Sequence, residues 1–257
     1  MLPIPKNIIQ VWIGDKKNIP ETYKISYDSI QKYLVPNGWN YRLFMQDEIE
    51  QLISTKYNWF WETYNSFPYL IQKADAARPF LLKEYGGVYL DMHFEILANL
   101  DPLFAENTLF TGKNNAYFLP SPNVPSVFTN AFIAASPDAT ILDLYITEMM
   151  EYSKNSPWWH IGKHFVVMNS TGPLALTRAI QKSKNVVGYL PNSILAPCSV
   201  CNLDQCPSKS GQLMRQMQGK TWHSVDSTIF DFIRCKWKSL VLILIIFIII
   251  YFNFYYL

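Results

Sequence analysis

Short β-branched runs and apolar positions at helical spacing alternate along the first third of the chain. Ile8-Ile9-Gln10-Val11-Trp12-Ile13 reads as a buried strand ended by Gly14-Asp15. Residues 20–34 follow with Tyr23, Tyr27, Ile30 and Leu34 at helical intervals. Asn37-Gly38 marks a turn, 39–44 a second strand, and Asp47 an N-cap for a helix through Ile49 and Leu52. The aromatic-dense segment 57–69 is expected to pack over the sheet. In 73–85, Ala74, Ala77, Phe80, Leu81 and Tyr85 share one helical face. Gly86-Gly87 stops that helix, and Val88-Tyr89-Leu90 begins another buried strand. The order βαβα predicts an α/β fold with a mostly parallel sheet.

The pattern is weaker beyond residue 96. Asp101-Pro102 suggests a turn, 109–112 a strand, and the Pro- and Asn-rich stretch 113–129 a loop. Residues 129–135 read as a strand, 139–152 as a helix capped by Ser136-Pro137-Asp138, 174–181 as a helix and 186–190 as a strand. Trp158-Trp159 suits either loop packing or contact with a membrane or acceptor. Cys198, Cys201 and Cys206 suit either a zinc site, completed by Cys235 or His223, or reduced thiols.

Composition adds one segment. Hydrophobic residues are 49% of the chain and charged residues 16%, and the excess is concentrated at the end, where 239–257 lack any charge. About 20 apolar residues suffice to span a bilayer, so this reads as a C-terminal transmembrane helix. The division expected is a catalytic domain over 1–233 and a basic juxtamembrane segment with its helix over 234–257. Arg234, Lys236 and Lys238 precede the apolar run, which favours a cytosolic domain, and the opening residues do not read as a secretory signal. A net charge of +2 gives a nucleic-acid role no support.

Candidate chemistry gathers after the third strand, in Asp91-Met92-His93. Strand alternation would turn Asp91 and His93 to one side, a half-site for a divalent metal; a strand that merely ends in polar residues is the plainer alternative. Trp12 suits core packing or stacking on a flat ligand. Asn130 suits a turn or a ligand contact, and Thr171-Gly172 a helix cap or a contact to a phosphate or sugar oxygen.

The blocks IPKNIIQVWIG, KADAARPFLLKEYGGVYLDMHFE, TNAFIAASP, STGP and TWHS resemble family 32 glycosyltransferases, over about residues 3–226. That family includes yeast-type α-1,6-mannosyltransferases and inositol-phosphorylceramide mannosyltransferases. The resemblance implies a GT-A type fold, Rossmann-like with helices flanking the central sheet. It implies transfer of a hexose, mannose first, from a nucleotide-sugar (GDP-mannose or a UDP-hexose) to a glycan or glycolipid with retention. Trp12 would stack on the base, and Asp75 and Arg78 would hold the donor sugar. Tyr89, Asp91 and Asn130 would complete the donor site, with Asp91, Asp75 and Arg78 as the catalytic set. Asp91, His93 and His223 would hold Mn²⁺ or Mg²⁺. His93 stands where the DxD motif has its second Asp. A Golgi- or ER-type membrane is implied.

Two other readings fit the same residues. One is a membrane-bound metal-dependent hydrolase using Asp91, His93 and His223. The other is an inactive relative kept for binding, for which His93 is the argument.

Overall fold

The computed structural model describes residues 4–104, 116–121, 126–183, 188–190, 198, 201–202, 211–217, 219 and 224–256. Strands β1 (Asn7–Trp12), β2 (Asn40–Met45), β3 (Gly87–Leu90), β5 (Ala116–Pro120), β6 (Phe128–Ala135) and β7 (Gly188–Tyr189) form one sheet in the order β2-β1-β3-β6-β5-β7. β1 pairs parallel with β2 and β3, and β5 with β7, while β6 is antiparallel to both its neighbours. Only β6 is therefore reversed, and the sheet is mixed but predominantly unidirectional. A small antiparallel pair, β4 (Phe94–Ile96) and β8 (Met214–Gln216), stands apart from it.

Side chains alternate between two cores, one on each sheet face. Ile9, Val11, Tyr89, Phe118 and Ile133 face helices α2 (Gln46–Lys56), α3 (Asn58–Ser66), α4 (Leu70–Tyr85), α6 (Thr140–Lys154) and α8 (Pro173–Lys182). Ile8, Val88, Leu90, Phe132 and Ala134 face α1 (Glu21–Tyr33) and α5 (Asp101–Phe104). Within the aromatic segment Phe60, Tyr64 and Phe67 are buried as expected, whereas Trp59 is exposed.

The α4–β3 corner depends on its glycines. Gly86 has φ +60°, and a Cβ there would lie 2.7 Å from the Pro5 ring. Gly87 has φ +114°, and a Cβ would lie 2.4 Å from the Asn7 carbonyl oxygen. Asn7 Nδ2 in turn donates to the Tyr85 carbonyl (2.9 Å), satisfying a group that the end of α4 leaves open. β1 and β3 thus pair directly beneath the helix that carries the candidate site.

Several expectations are corrected. Helix α2 starts at Gln46, not behind an Asp47 cap, because Glu48 reaches back to accept from the Met45 N–H (3.0 Å). Residues 116–120 within the expected loop are strand β5, buried between β6 and β7 despite the surrounding prolines. Asp101-Pro102 opens the short helix α5, and the expected strand 109–112 lies outside the described residues. Cys201 is joined to Cys235 and Cys198 is also disulfide-bonded, which removes both the zinc and the free-thiol readings for them.

The C-terminal stretch is helical, but not as a separate span. α9 (Val225–Tyr256) is one helix of 32 residues, and among the described residues no helix is long and apolar enough to cross a membrane. Its first turns belong to the domain. Asp226 accepts from the His164 N–H (2.7 Å), and Phe230 packs against His164 and Phe165 on α7 (Lys163–Ser170).

Candidate functional site

Asp75 and Arg78 lie one turn apart on α4, so both side chains leave the same face of the helix. Pro79 follows within the helix and withholds the N–H that would bind the Asp75 carbonyl. Burial on this face is nearly complete, with Asp75 and Arg78 each 3% exposed. The guanidinium of Arg78 is held from four sides. Nη2 lies 2.7 Å from Asp75 Oδ1 and 3.2 Å from Asp91 Oδ1, Nη1 donates to the Asn130 carbonyl (2.7 Å), and the group sits 4.5 Å from the centre of the Tyr89 ring. The Tyr89 hydroxyl donates to Asp91 Oδ1 at 2.5 Å. Arg78 Nε is buried without a hydrogen-bond partner among the described atoms. An unpaired buried donor costs about 1–3 kcal/mol, so its place in this site favours an incoming oxygen.

Thr171 and Asn130, both candidates in the sequence, complete the cluster together with Tyr145, which was not one. Thr171 Oγ1 donates to Asp75 Oδ2 (3.1 Å), and the Tyr145 hydroxyl donates to the Thr171 carbonyl. Asn130 Nδ2 donates to the Tyr145 hydroxyl (3.3 Å) and the Thr171 carbonyl (3.4 Å). The Asn130 side chain thus ties β6 to α6 and the α7–α8 turn, while its backbone oxygen reaches Arg78. Tyr145 carried no sequence signal because its spacing fits the core face of α6.

Burial sets the charges. Desolvation pushes the Asp75 carboxyl up to about 7, with Arg78 opposing and Asp91 adding to the rise. Desolvation alone would lower Arg78, but the carboxylates of Asp75 and Asp91 hold it charged. Burial lowers His93, so its imidazole is neutral at pH 7.

β3 ends at Leu90, so Asp91, Met92 and His93 form a turn rather than continuing the strand. The turn still brings Asp91 Oδ2 within 3.7 Å of His93 Nδ1, while His93 Nε2 lies 3.3 Å from Gln216 Nε2 on β8. A carboxylate oxygen and a neutral imidazole nitrogen are donor types suited to a first-row divalent cation. Among the described residues no third His, Cys, Asp or Glu joins them to make a metal group. The pair fits a cation completed by ligand oxygens or water. The expected third ligand, His223, lies outside the described residues.

Asp75, Arg78, Tyr89, Asp91, His93 and Asn130 border one cleft of about 1260 Å³. Trp12 lines it at the end of β1, partly exposed, its indole N–H donating to the Asp15 carbonyl (3.0 Å) and so fixing the ring plane. Trp12 thus borders the cleft and is not wholly enclosed in the core. Met168 of α7 and Thr228 and Phe232 in the first turns of α9 also line the cleft.

Residues 16–110 match the family described as glycosyltransferase sugar-binding region containing DXD motif. The chain is 29% identical over 240 residues to inositol phosphoceramide mannosyltransferase 1 of Schizosaccharomyces pombe, covering 93% of this chain and 68% of that protein. It is 31% identical over 175 residues to mannosyl phosphorylinositol ceramide synthase SUR1 of Saccharomyces cerevisiae, covering 68% of this chain and 41% of that one. Among solved structures, the PaToxG glycosyltransferase is 20% identical with a TM-score of 0.47, over 70% of this chain and 69% of that chain.

Proposed function

We propose, from the match of residues 16–110 to the glycosyltransferase sugar-binding region containing DXD motif, that the chain is a glycosyltransferase that moves a hexose, mannose first, from a nucleotide-sugar to an inositol-phosphate-bearing glycolipid, on a GT-A type scaffold. The observation that carries the reading is Arg78 clamped between Asp75 and Asp91 at the carboxyl end of β3, where open α/β sheets bind ligands. The acceptor class is taken from the relatives named above, of which the chain spans 68% and 41% of the length.

In this reading Trp12 stacks on the base, and Asp75 and Arg78 orient the sugar hydroxyls. Asp91 and His93 would hold a divalent ion, Mn²⁺ first, and as a Lewis acid it would offset diphosphate charge by several kcal/mol. Both cluster carboxylates are already engaged, Asp75 by Arg78 and Thr171, Asp91 by Arg78 and Tyr89. Neither is placed as a free nucleophile. This supports retention by front-face attack: the acceptor hydroxyl forms the new C1–O bond as the diphosphate departs with the old bonding pair, and the hydroxyl proton passes to that diphosphate.

Membrane association through α9 belongs to the same proposal. What supports it is the unbroken apolar run 240–252 carried on one continuous helix, with Ile245, Ile246 and Phe247 exposed. The Cys201–Cys235 disulfide favours a domain facing an oxidising compartment, against the flanking charges. Protease protection in sealed vesicles separates the two orientations.

A screen of GDP-mannose and UDP-hexoses for donor hydrolysis, with Asp91→Asn beside the parent, tests the core claim. Removing one preorganised charge contact costs about 10²–10³ in rate, and that loss is expected. Undiminished hydrolysis by the variant would sink the assignment. Cleavage of simple phosphoesters instead of nucleotide-sugars would favour the hydrolase.

A further inference from the structure

The cleft is larger than one small-ligand site. Such sites occupy roughly 300–1,000 Å³, and this one, at about 1260 Å³, runs from the Asp75–Arg78–Asp91 cluster to the first turns of α9. Thr228, Asp231, Phe232, Cys235 and Lys236, all on α9, line it together with Met168 of α7. Phe232 is 58% exposed, a large aromatic surface bordering the cleft instead of a core. These residues stand on α9 and α7, whereas the Arg78 cluster is centred on α4, so the space they border adds to that used by the donor reading.

Three ties hold this wall in place. Asp226 accepts from the His164 N–H (2.7 Å), and Ser227 Oγ lies 3.2 Å from His164 Nδ1. Phe230 stacks on His164 with ring centroids 5.1 Å apart and meets Phe165 edge-on at 4.7 Å. Further along the helix, Cys235 is bound to Cys201. The first two ties act in the opening turn and a half; the disulfide fixes the helix two to three turns on, next to Phe232 and Lys236.

We propose that the amino-terminal turns of α9, with α7, are the acceptor-binding wall of the cleft, and that the Cys201–Cys235 disulfide positions them. This rests on the glycosyltransferase reading for the identity of the acceptor as an inositol-phosphate headgroup. The chemistry of the wall matches such a ligand. Thr228 offers a hydroxyl, Arg234, ion-paired with Asp231, and Lys236 bring positive charge for the phosphate, and Phe232 offers an aromatic face to the C–H face of a ring. Because the same helix continues into the apolar run after Ser239, the wall leads from the sugar cluster towards the chain's most lipid-compatible segment.

Hydrogen exchange on the full chain in detergent micelles, with and without inositol phosphoceramide, tests this without requiring turnover. Slower exchange at 163–168 and 225–236 when the lipid is added is expected. Absence of protection there, or protection confined to other segments, overturns the proposal. Donor hydrolysis measured on the same preparation reports separately on the glycosyltransferase reading. For transfer, Phe232→Ala and the Cys201→Ser/Cys235→Ser pair are each expected to raise the acceptor KM about tenfold, about 1.4 kcal/mol, while the donor KM moves less than about twofold. A parallel rise in both KM values, or a change in neither, assigns the wall a purely structural role and rejects the inference.

Discussion

The guanidinium of Arg78 lies 4.5 Å from the centre of the Tyr89 ring, and the hydroxyl of that ring donates to Asp91 at 2.5 Å. Tyr89 therefore supports both partners of the Arg78–Asp91 contact, one through its face and the other through its edge. Replacing it by Phe keeps the face and removes the edge. Net loss of one hydrogen bond is worth about 0.5–1.5 kcal/mol, so Tyr89→Phe is expected to lower donor hydrolysis by about three- to tenfold with Arg78 still in place. A variant as active as the parent would show that Asp91 needs no such support.

Arg78→Lys keeps the charge but loses the planar fork that meets Asp75, Asp91 and the Asn130 carbonyl together. Arg78→Ala goes further and leaves two carboxylates facing each other. Breaking a buried pair by removing one partner costs about 3–5 kcal/mol, which denaturant unfolding of the Ala variant should register. The Lys variant should fold with a smaller loss and yet hydrolyse donor poorly. An active Lys variant would remove Arg78 from the sugar clamp.

Asp75 gives the protein a pH-dependent term of unusual sign. Its carboxyl is raised by burial from 3.8 to about 7, so between these values the folded state holds a proton that the unfolded chain releases. Its contribution to stability is greatest at the acid end of this window and falls as pH rises towards 7. Asp75→Asn removes that slope. The stability difference between variant and parent, measured by denaturant unfolding at pH 5 and pH 7.5, should shift in favour of the variant at the higher pH. A difference that stays constant with pH contradicts the assignment.

His93→Ala tests the two-residue metal half-site. If Asp91 and His93 hold the cation together, nucleotide affinity in the parent should increase on adding Mn²⁺, and the variant should need a higher Mn²⁺ concentration for the same effect. Calorimetric titration of nucleotide at several Mn²⁺ concentrations reads this directly. Equal Mn²⁺ dependence in both proteins removes His93 from the site.

Gly87→Ala tests the geometry beneath the site. A Cβ would lie 2.4 Å from the Asn7 carbonyl oxygen at a φ of +114°. Backbone strain and overpacking each cost about 1–3 kcal/mol, so a loss of at least about 2 kcal/mol is expected on unfolding. A thermally neutral substitution would show that β1 and β3 tolerate separation there.

Much of the amino-terminal half follows from local pattern. β1, α1, β2, α4, the Gly86-Gly87 stop and β3 are legible because period, turn chemistry and chain order agree. The pairing of Asp75 with Arg78 is also local, since helical spacing alone puts them on one face. The meeting of Asp91 with His93 came out as expected but by another route, through a turn and not through strand alternation. Strand β5 has no local signature because prolines and asparagines surround it and Pro120 ends it, and burial between neighbouring strands overrides that signal.

What the sequence by itself determined is the chemistry of the residues between Lys73 and Glu95, the family that they resemble, and the apolar end of the chain. What only the tertiary structure decided is how these are assembled. Thr171 reaches Asp75 across 96 positions, Asn130 presents its backbone oxygen to Arg78, and α9 returns to wall the cleft under the hold of Cys201–Cys235. The physical reason is common to all three. Periodicity and turn signals report interactions within a few residues, whereas a buried charge is stabilised by whichever groups the fold brings to it, and their separation along the chain leaves no local trace.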